Sequence, residues 1–125
     1  MVLLWGKHEE RTLNSEITTI RLLADYECYP LWLTGDRADN VAPDSTDMGL
    51  TPLLAERLDA WAGRFDATLD MDDPRLSGFP TEEAEHEFAQ DGETLARQLA
   101  VELGPGWRVV YNDLRIGADV EIPAS

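Results

Sequence analysis

The 125 residues carry 25 acidic side chains against ten basic ones, nine of them Arg, for a formal net charge of −15. That balance excludes a bare nucleic-acid backbone or an anionic membrane as direct ligand, since both would be repelled, and it favours solubility and the steering of cationic partners. With 43% hydrophobic residues, the chain has the apolar content of a single globular domain over 1–125, and one cysteine, Cys28, excludes an internal disulfide.

The apolar start Met1–Trp5 is shorter than a signal peptide or a membrane span requires, so the cytoplasm is the expected compartment. Residues 1–15 read as an extension or a short hairpin. In Thr18–Tyr26 the residues Ile20, Leu22, Ala24 and Tyr26 alternate with Thr19, Arg21, Leu23 and Asp25, which predicts a half-buried strand. Pro30 ends or edges that strand, because it has no N–H to give a ladder. Thr34–Gly49 holds Gly35, Pro43 and Gly49 with four Asp and one Arg and is predicted to be a loop, longer than most compact domains use.

A first helix is predicted from Thr51 as cap and Pro52 at its first position. Leu54, Leu58, Trp61, Phe65 and Leu69 form its apolar stripe, with Glu56, Asp59 and Gly63 facing away. The loop Asp70–Pro80 is punctuated by Pro74, Gly78 and Pro80. The next helix starts at a Thr81 cap with Glu82 and Glu83 in the first turn, where the helix dipole favours them. Ala84, Phe88, Leu95, Leu99 and Leu103 share a face, and Gly104-Pro105 ends the helix. Gly92 on the same face either permits close packing or breaks the helix in two. Alternation over Trp107–Tyr111 and again over Ile116–Ile122, with Asn112-Asp113 between, predicts a terminal hairpin. The expected fold is therefore α+β in two layers, two helices packed on one face of a small, mainly antiparallel sheet.

No catalytic constellation emerges. Cys28 and His86 lack any spacing that pairs a nucleophile with its base, and Cys28 reads as a small packing residue. Asp70, Asp72 and Asp73 depart from a calcium loop at Pro74, with no Gly following. His8 and His86 have no partner at metal-binding spacing. No phosphate-binding glycine motif occurs, so no cofactor is expected. What remains is acidic surface. Ten carboxylates and a single Arg lie between Asp66 and Glu93, and like charges such as Glu83 and Glu87 one turn apart repel. A cationic partner would offset that cost. Asp70, Asp72, Asp73, Glu82, Glu83 and Glu87 are accordingly the expected partner-binding residues. The rival expectation is a small-molecule pocket, or an unrecognised catalytic site, lined by Tyr26, Tyr29, Trp32 and the 34–49 loop.

The segments DYECYPLW (25–32), WAGRFDATLD (61–70) and DDPRLSGF (72–79) resemble a group of small acidic bacterial proteins. In that group Y-x-C-x-P-L-W precedes a helix ending in W…YD-x-x-L, followed by a DP-x-x-SGF loop. The resemblance covers about residues 18–111, with Phe65 standing where the group has Tyr. It implies an immunity partner of a polymorphic or contact-dependent bacterial toxin; joined to the acidic surface, this sets the expectation of a non-enzymatic inhibitor that docks on a basic protein such as a nuclease. The shared residues also admit structural roles, with Trp32 and Phe79 as core plugs and Asp73-Pro74 and Ser77-Gly78 as turn formers.

Overall fold

A computed structural model describes residues 17–35, 38–46, 48–70, 72–73 and 77–123. The extension or hairpin expected over residues 1–15 and the Pro74 stop lie outside them. In chain order the elements are β1 (Thr18–Leu22), β2 (Leu31–Leu33), β3 (Asp39–Val41), α1 (Pro52–Asp66), α2 (Glu82–Leu103), β4 (Trp107–Asp113) and β5 (Ala118–Ile122). The strands form one open sheet in the order β3-β2-β1-β4-β5. The α+β expectation is met.

Pairing register decides which side chains meet. Leu22 stands opposite Leu31 on β2 and Tyr111 on β4, and Ile20 opposite Leu33 and Val109. Val109 in turn faces Ile122 on β5. These side chains share one face of the sheet, because directly opposed residues project together. They join Leu54, Leu58 and Trp61 of α1 and Phe88, Leu95 and Leu99 of α2 in a single buried cluster. Burying each such side chain stabilises the fold by roughly 1.5–3 kcal/mol. Three of the sheet's pairings are antiparallel, while β1 and β4 run parallel. The helical crossover between them brings the chain back alongside β1 in the same direction, as parallel neighbours require.

The strand expected over Thr18–Tyr26 ends at Leu22. The chain turns beyond it, with the Leu23 N–H donating to the Pro30 carbonyl (2.9 Å). Alternation overshoots because the turn also packs inward: Ala24 is half-buried against the core, and the Tyr26 ring lies 4.6 Å from that of Phe65. β2 and β3 were not expected. Each has three residues, too few to show a period, and β3 reads Asp39-Asn40-Val41. The long 34–49 loop therefore contains a sheet edge. Trp32 is not a core plug. Its register partners are Arg21 and Asn40, on the face away from Leu31 and Leu33, and its indole N–H donates to the Leu23 carbonyl (3.0 Å). The expected Asn112-Asp113 turn belongs to β4, and the reversal falls at 114–117. There the Asp113 carbonyl accepts the Gly117 N–H (2.8 Å), with Gly117 at φ 64°.

Both helices start as expected, but α1 ends at Asp66 with Ala67 as its cap, so Leu69 of the expected stripe lies beyond the helix. Thr51 Oγ1 accepts the Leu54 N–H, Pro52 sits in the first turn, and Thr81 Oγ1 accepts the Ala84 N–H. α2 runs unbroken through Gly92, which is buried. A Cβ there would collide with Tyr111 Oη and with the Trp61 ring, so glycine is required by close packing. The two helices lie antiparallel, since Thr51 at the start of α1 is bound by Glu102 near the end of α2, while Arg64 reaches Asp91.

Candidate partner-binding surface

The six arginines among the described residues are all engaged internally. Among the described residues, Arg21 pairs with Asp119, Arg64 with Asp91 (2.8 Å), Arg97 with Glu93 (2.7 Å) and Arg108 with Glu121 (3.4 Å). Arg115 holds both Glu93 (2.6 Å) and Asp113 (2.7 Å), tying α2 to the β4–β5 turn. These contacts keep the Glu93 and Asp113 carboxyls below their ordinary range, through hydrogen bonding by Arg115 first. Asp119 is likewise held low, by Asn112 and then Arg21. Arg57 hydrogen-bonds Gln98 (3.3 Å).

Two groups of the remaining carboxylates lie around the C-terminal end of α1. The first is at the start of α2, where Glu82, Glu83, Glu85 and Glu87 are all exposed and make no hydrogen bond or ion pair among the described residues. Glu82, Glu83 and Glu87 border a shallow depression of about 360 Å³ together with His86. Glu87 also borders a larger one, of about 660 Å³, with Asp70, Arg64, Thr68 and Phe79. Four of the six expected residues are thus brought onto adjoining surface. Asp72 and Asp73 border neither depression. Asp70 has a structural duty as well: its Oδ1 accepts the N–H groups of Asp72 and Asp73 (both 3.0 Å), and its own N–H donates to Ser77 Oγ (2.8 Å).

The second group was not expected as a carboxylate cluster. A depression of about 450 Å³ is bordered by Glu27, Tyr29, Asn40, Asp59 and Asp66, with Cys28 at its wall. The Asp59 carboxyl is pushed above its ordinary value, by burial first and by the charge of Asp44 second. Glu27 adopts φ 61°, a left-handed conformation uncommon outside glycine, and its N–H donates to Asp66 Oδ1 (2.8 Å). The Asn40 side chain clasps the next turn of chain, accepting the Tyr29 N–H (2.9 Å) and donating to the carbonyls of Tyr29 (2.7 Å) and Leu31 (3.0 Å). Tyr29 itself is 50% exposed. Asp59 and Asp66 stand seven apart on the outward side of α1, a spacing visible in the sequence. What draws Glu27 and Tyr29 beside them is the turn between β1 and β2, which leaves no periodic signal.

The rival pocket assembles only in part. The 34–49 loop borders a separate depression of about 610 Å³ through Thr34, Ala38, Asp39, Val41 and Met48. The aromatic side chains expected with it lie elsewhere or border the depression of about 450 Å³ beside Glu27. Tyr26 packs on Phe65 and hydrogen-bonds Thr68 (3.0 Å), and Trp32 is spent on the Leu23 carbonyl, so only Tyr29 of the three borders the depression. Cys28 lies at that depression and His86 beside Glu82 and Glu83, so they form no pair. The residues behind the resemblance hold the fold together. Phe79 is half-buried with its ring 4.9 Å from Phe88, Gly78 donates to the Thr68 carbonyl, and Asp66 secures Glu27. Among the described residues no group of three or more His, Cys, Asp or Glu is placed to hold a metal ion, and no helix is long and apolar enough to cross a membrane.

A protein-family profile described as "Serratia CdiI immunity protein-like" matches residues 18–114, the span from the first residue of β1 to the turn after β4. No curated protein matches the chain.

Proposed function

The chain belongs to the Serratia CdiI immunity protein-like family, and from that membership we propose that it binds and blocks a cognate toxin in the cytoplasm without catalysing a reaction. The observation that carries the proposal is the segregation of charge. Five of the six described arginines are absorbed in ion pairs, while the carboxylates at the start of α2 are left exposed and unpaired. A surface of that kind repels nucleic acid and attracts a basic protein, and complementary charge accelerates encounter towards about 10⁸–10⁹ M⁻¹s⁻¹ at low salt. The toxin it suits is one with a cationic cleft, such as a nuclease. Glu82, Glu83 and Glu87, with Asp70, Asp72 and Asp73 of the preceding loop, are the docking residues on this reading.

The test is co-expression with a cognate toxin-domain protein. The parent restores growth and binds the purified toxin domain with an association rate that falls as salt is raised. A Glu82→Lys/Glu83→Lys variant folds, because both side chains are exposed. It loses favourable helix-dipole charge, on the order of 1 kcal/mol, and associates at least tenfold more slowly. Salt-insensitive association of the folded variant at the parental rate removes this surface from the interface. A parent that neither binds nor protects removes the inhibitor reading.

A further inference from the structure

Tyr29 is an aromatic side chain left half in water on a segment the rest of the molecule holds still. Asn40 takes up the backbone on both sides of it through three hydrogen bonds, and Asp66 anchors the N–H of Glu27 two residues before. Aromatic residues of this kind bind at low entropic cost, since two side-chain torsions are all that remains to be fixed, and Tyr is enriched among the residues that dominate interface energies. The chemistry of the neighbouring walls selects the occupant. The depression beside Tyr29 is bordered by Glu27, Asp59 and Asp66, and Asp44 acts electrostatically on Asp59. No arginine of the described residues pairs with any of these four.

We propose that the Tyr29 surface is the anchoring half of the toxin interface, taking an arginine or lysine side chain of the basic partner into the depression while the Tyr29 ring packs against that side chain. This rests on the inhibitor reading and goes beyond it, since the carboxylates at the start of α2 lie outside the depression. The two surfaces are continuous around the end of α1: Asp66 borders one, and Arg64, Ala67 and Thr68 border the other. A single partner spans both, with the exposed glutamates governing approach and Tyr29 governing residence. An aromatic face and a group of unpaired carboxylates both favour a cation, and a cation there also relieves the repulsion between Asp59 and Asp44.

Two measurements on the full chain test this. In the first, Tyr29→Ala and Asp59→Asn are compared with the parent for binding the purified toxin domain. Tyr29→Ala weakens binding about 30-fold, mainly through faster dissociation. Asp59→Asn weakens it while leaving thermal stability equal or higher, an opposition that a merely structural carboxylate would not produce. In the second, an amidated tetra-arginine peptide is titrated at low salt and followed by amide NMR shifts. The shifts concentrate at Glu27, Tyr29, Asp59 and Asp66 and are abolished in Tyr29→Ala/Asp59→Asn. Binding by Tyr29→Ala within about threefold of the parent, or peptide shifts confined to the start of α2, overturns the proposal and leaves the inhibitor reading standing. A parent that ignores the toxin domain yet shows the clustered peptide shifts keeps the cation site and overturns its assignment to a toxin.

Discussion

Gly92 shows how one residue sets the spacing between layers. Trp61 and Tyr111 both converge on α2 at this point, the indole N–H donating to the Phe88 carbonyl (2.9 Å) and the Tyr111 hydroxyl to that of Ala89 (2.7 Å). Burial pushes the Tyr111 hydroxyl pKa upwards, so it stays a neutral donor across the physiological range. Gly92→Ala gains about 1 kcal/mol of helix propensity, but its methyl group must displace the Tyr111 hydroxyl and the Trp61 ring. Overpacking costs about 1–3 kcal/mol and the lost hydrogen bond about 1 kcal/mol more. The net expectation is destabilisation by about 1–3 kcal/mol in urea unfolding. Gly63 is the control. It is exposed in the last turn of α1 with open space around it, so Gly63→Ala raises stability by up to about 0.5–1 kcal/mol. Destabilisation at both sites would mean that helix propensity, not packing, is misjudged.

At the scale of elements, each helix joins the common core by one apolar stripe, α2 lying on the sheet and α1 packing chiefly on α2. Leu58 is fully buried on α1 and Leu95 is 8% exposed on α2, both within the common cluster. An aspartate at either place is a buried charge with no partner, which costs more than a marginally stable domain possesses. Leu58→Asp and Leu95→Asp are therefore each expected to abolish the cooperative thermal transition. A variant that melts like the parent would show that the stripe does not face the core. The helix pair is also tied end to end by polar contacts, because Glu102 receives both the N–H and the hydroxyl of Thr51, each at 2.8 Å.

At the scale of the molecule, two populations of carboxylates oppose each other as pH falls. Asp59, raised by burial and by Asp44, destabilises the fold when ionised. Its contribution is therefore most favourable below the unfolded pKa and is lost as pH rises through the folded one. Glu93, Asp113 and Asp119 are lowered. The stability they lend is present above their unfolded values and disappears as pH drops through the folded ones. Lowering pH from neutrality thus first relieves repulsion in a chain of net charge −15 and only then breaks the Arg115 and Arg21 pairs. The thermal midpoint is expected to be highest on the mildly acidic side of neutrality and to fall below the ordinary carboxylate range. Arg115→Met should flatten that acid limb. A midpoint that declines steadily from pH 7 downward would contradict this order of events.

Leaving open only whether α2 breaks at Gly92, the sequence by itself placed the two helices, their caps, most of their buried faces, the core side of β1 and β4, and the acidic character of the chain. Each of these is local, written in a repeat of two or of 3.6 residues or in composition. The three-residue strands β2 and β3, the end of β1 at Leu22 and the parallel pairing of β1 with β4 were decided only by tertiary structure. A short strand exists because a neighbour supplies its hydrogen bonds, not because its own residues prefer extension. The same division holds for the binding surface. Glu82, Glu83 and Glu87 are neighbours in the chain and stay neighbours in the fold. Glu27, Tyr29, Asn40, Asp59 and Asp66 come from a turn, an edge strand and a helix, and no local pattern announces that the sheet will bring them to one rim.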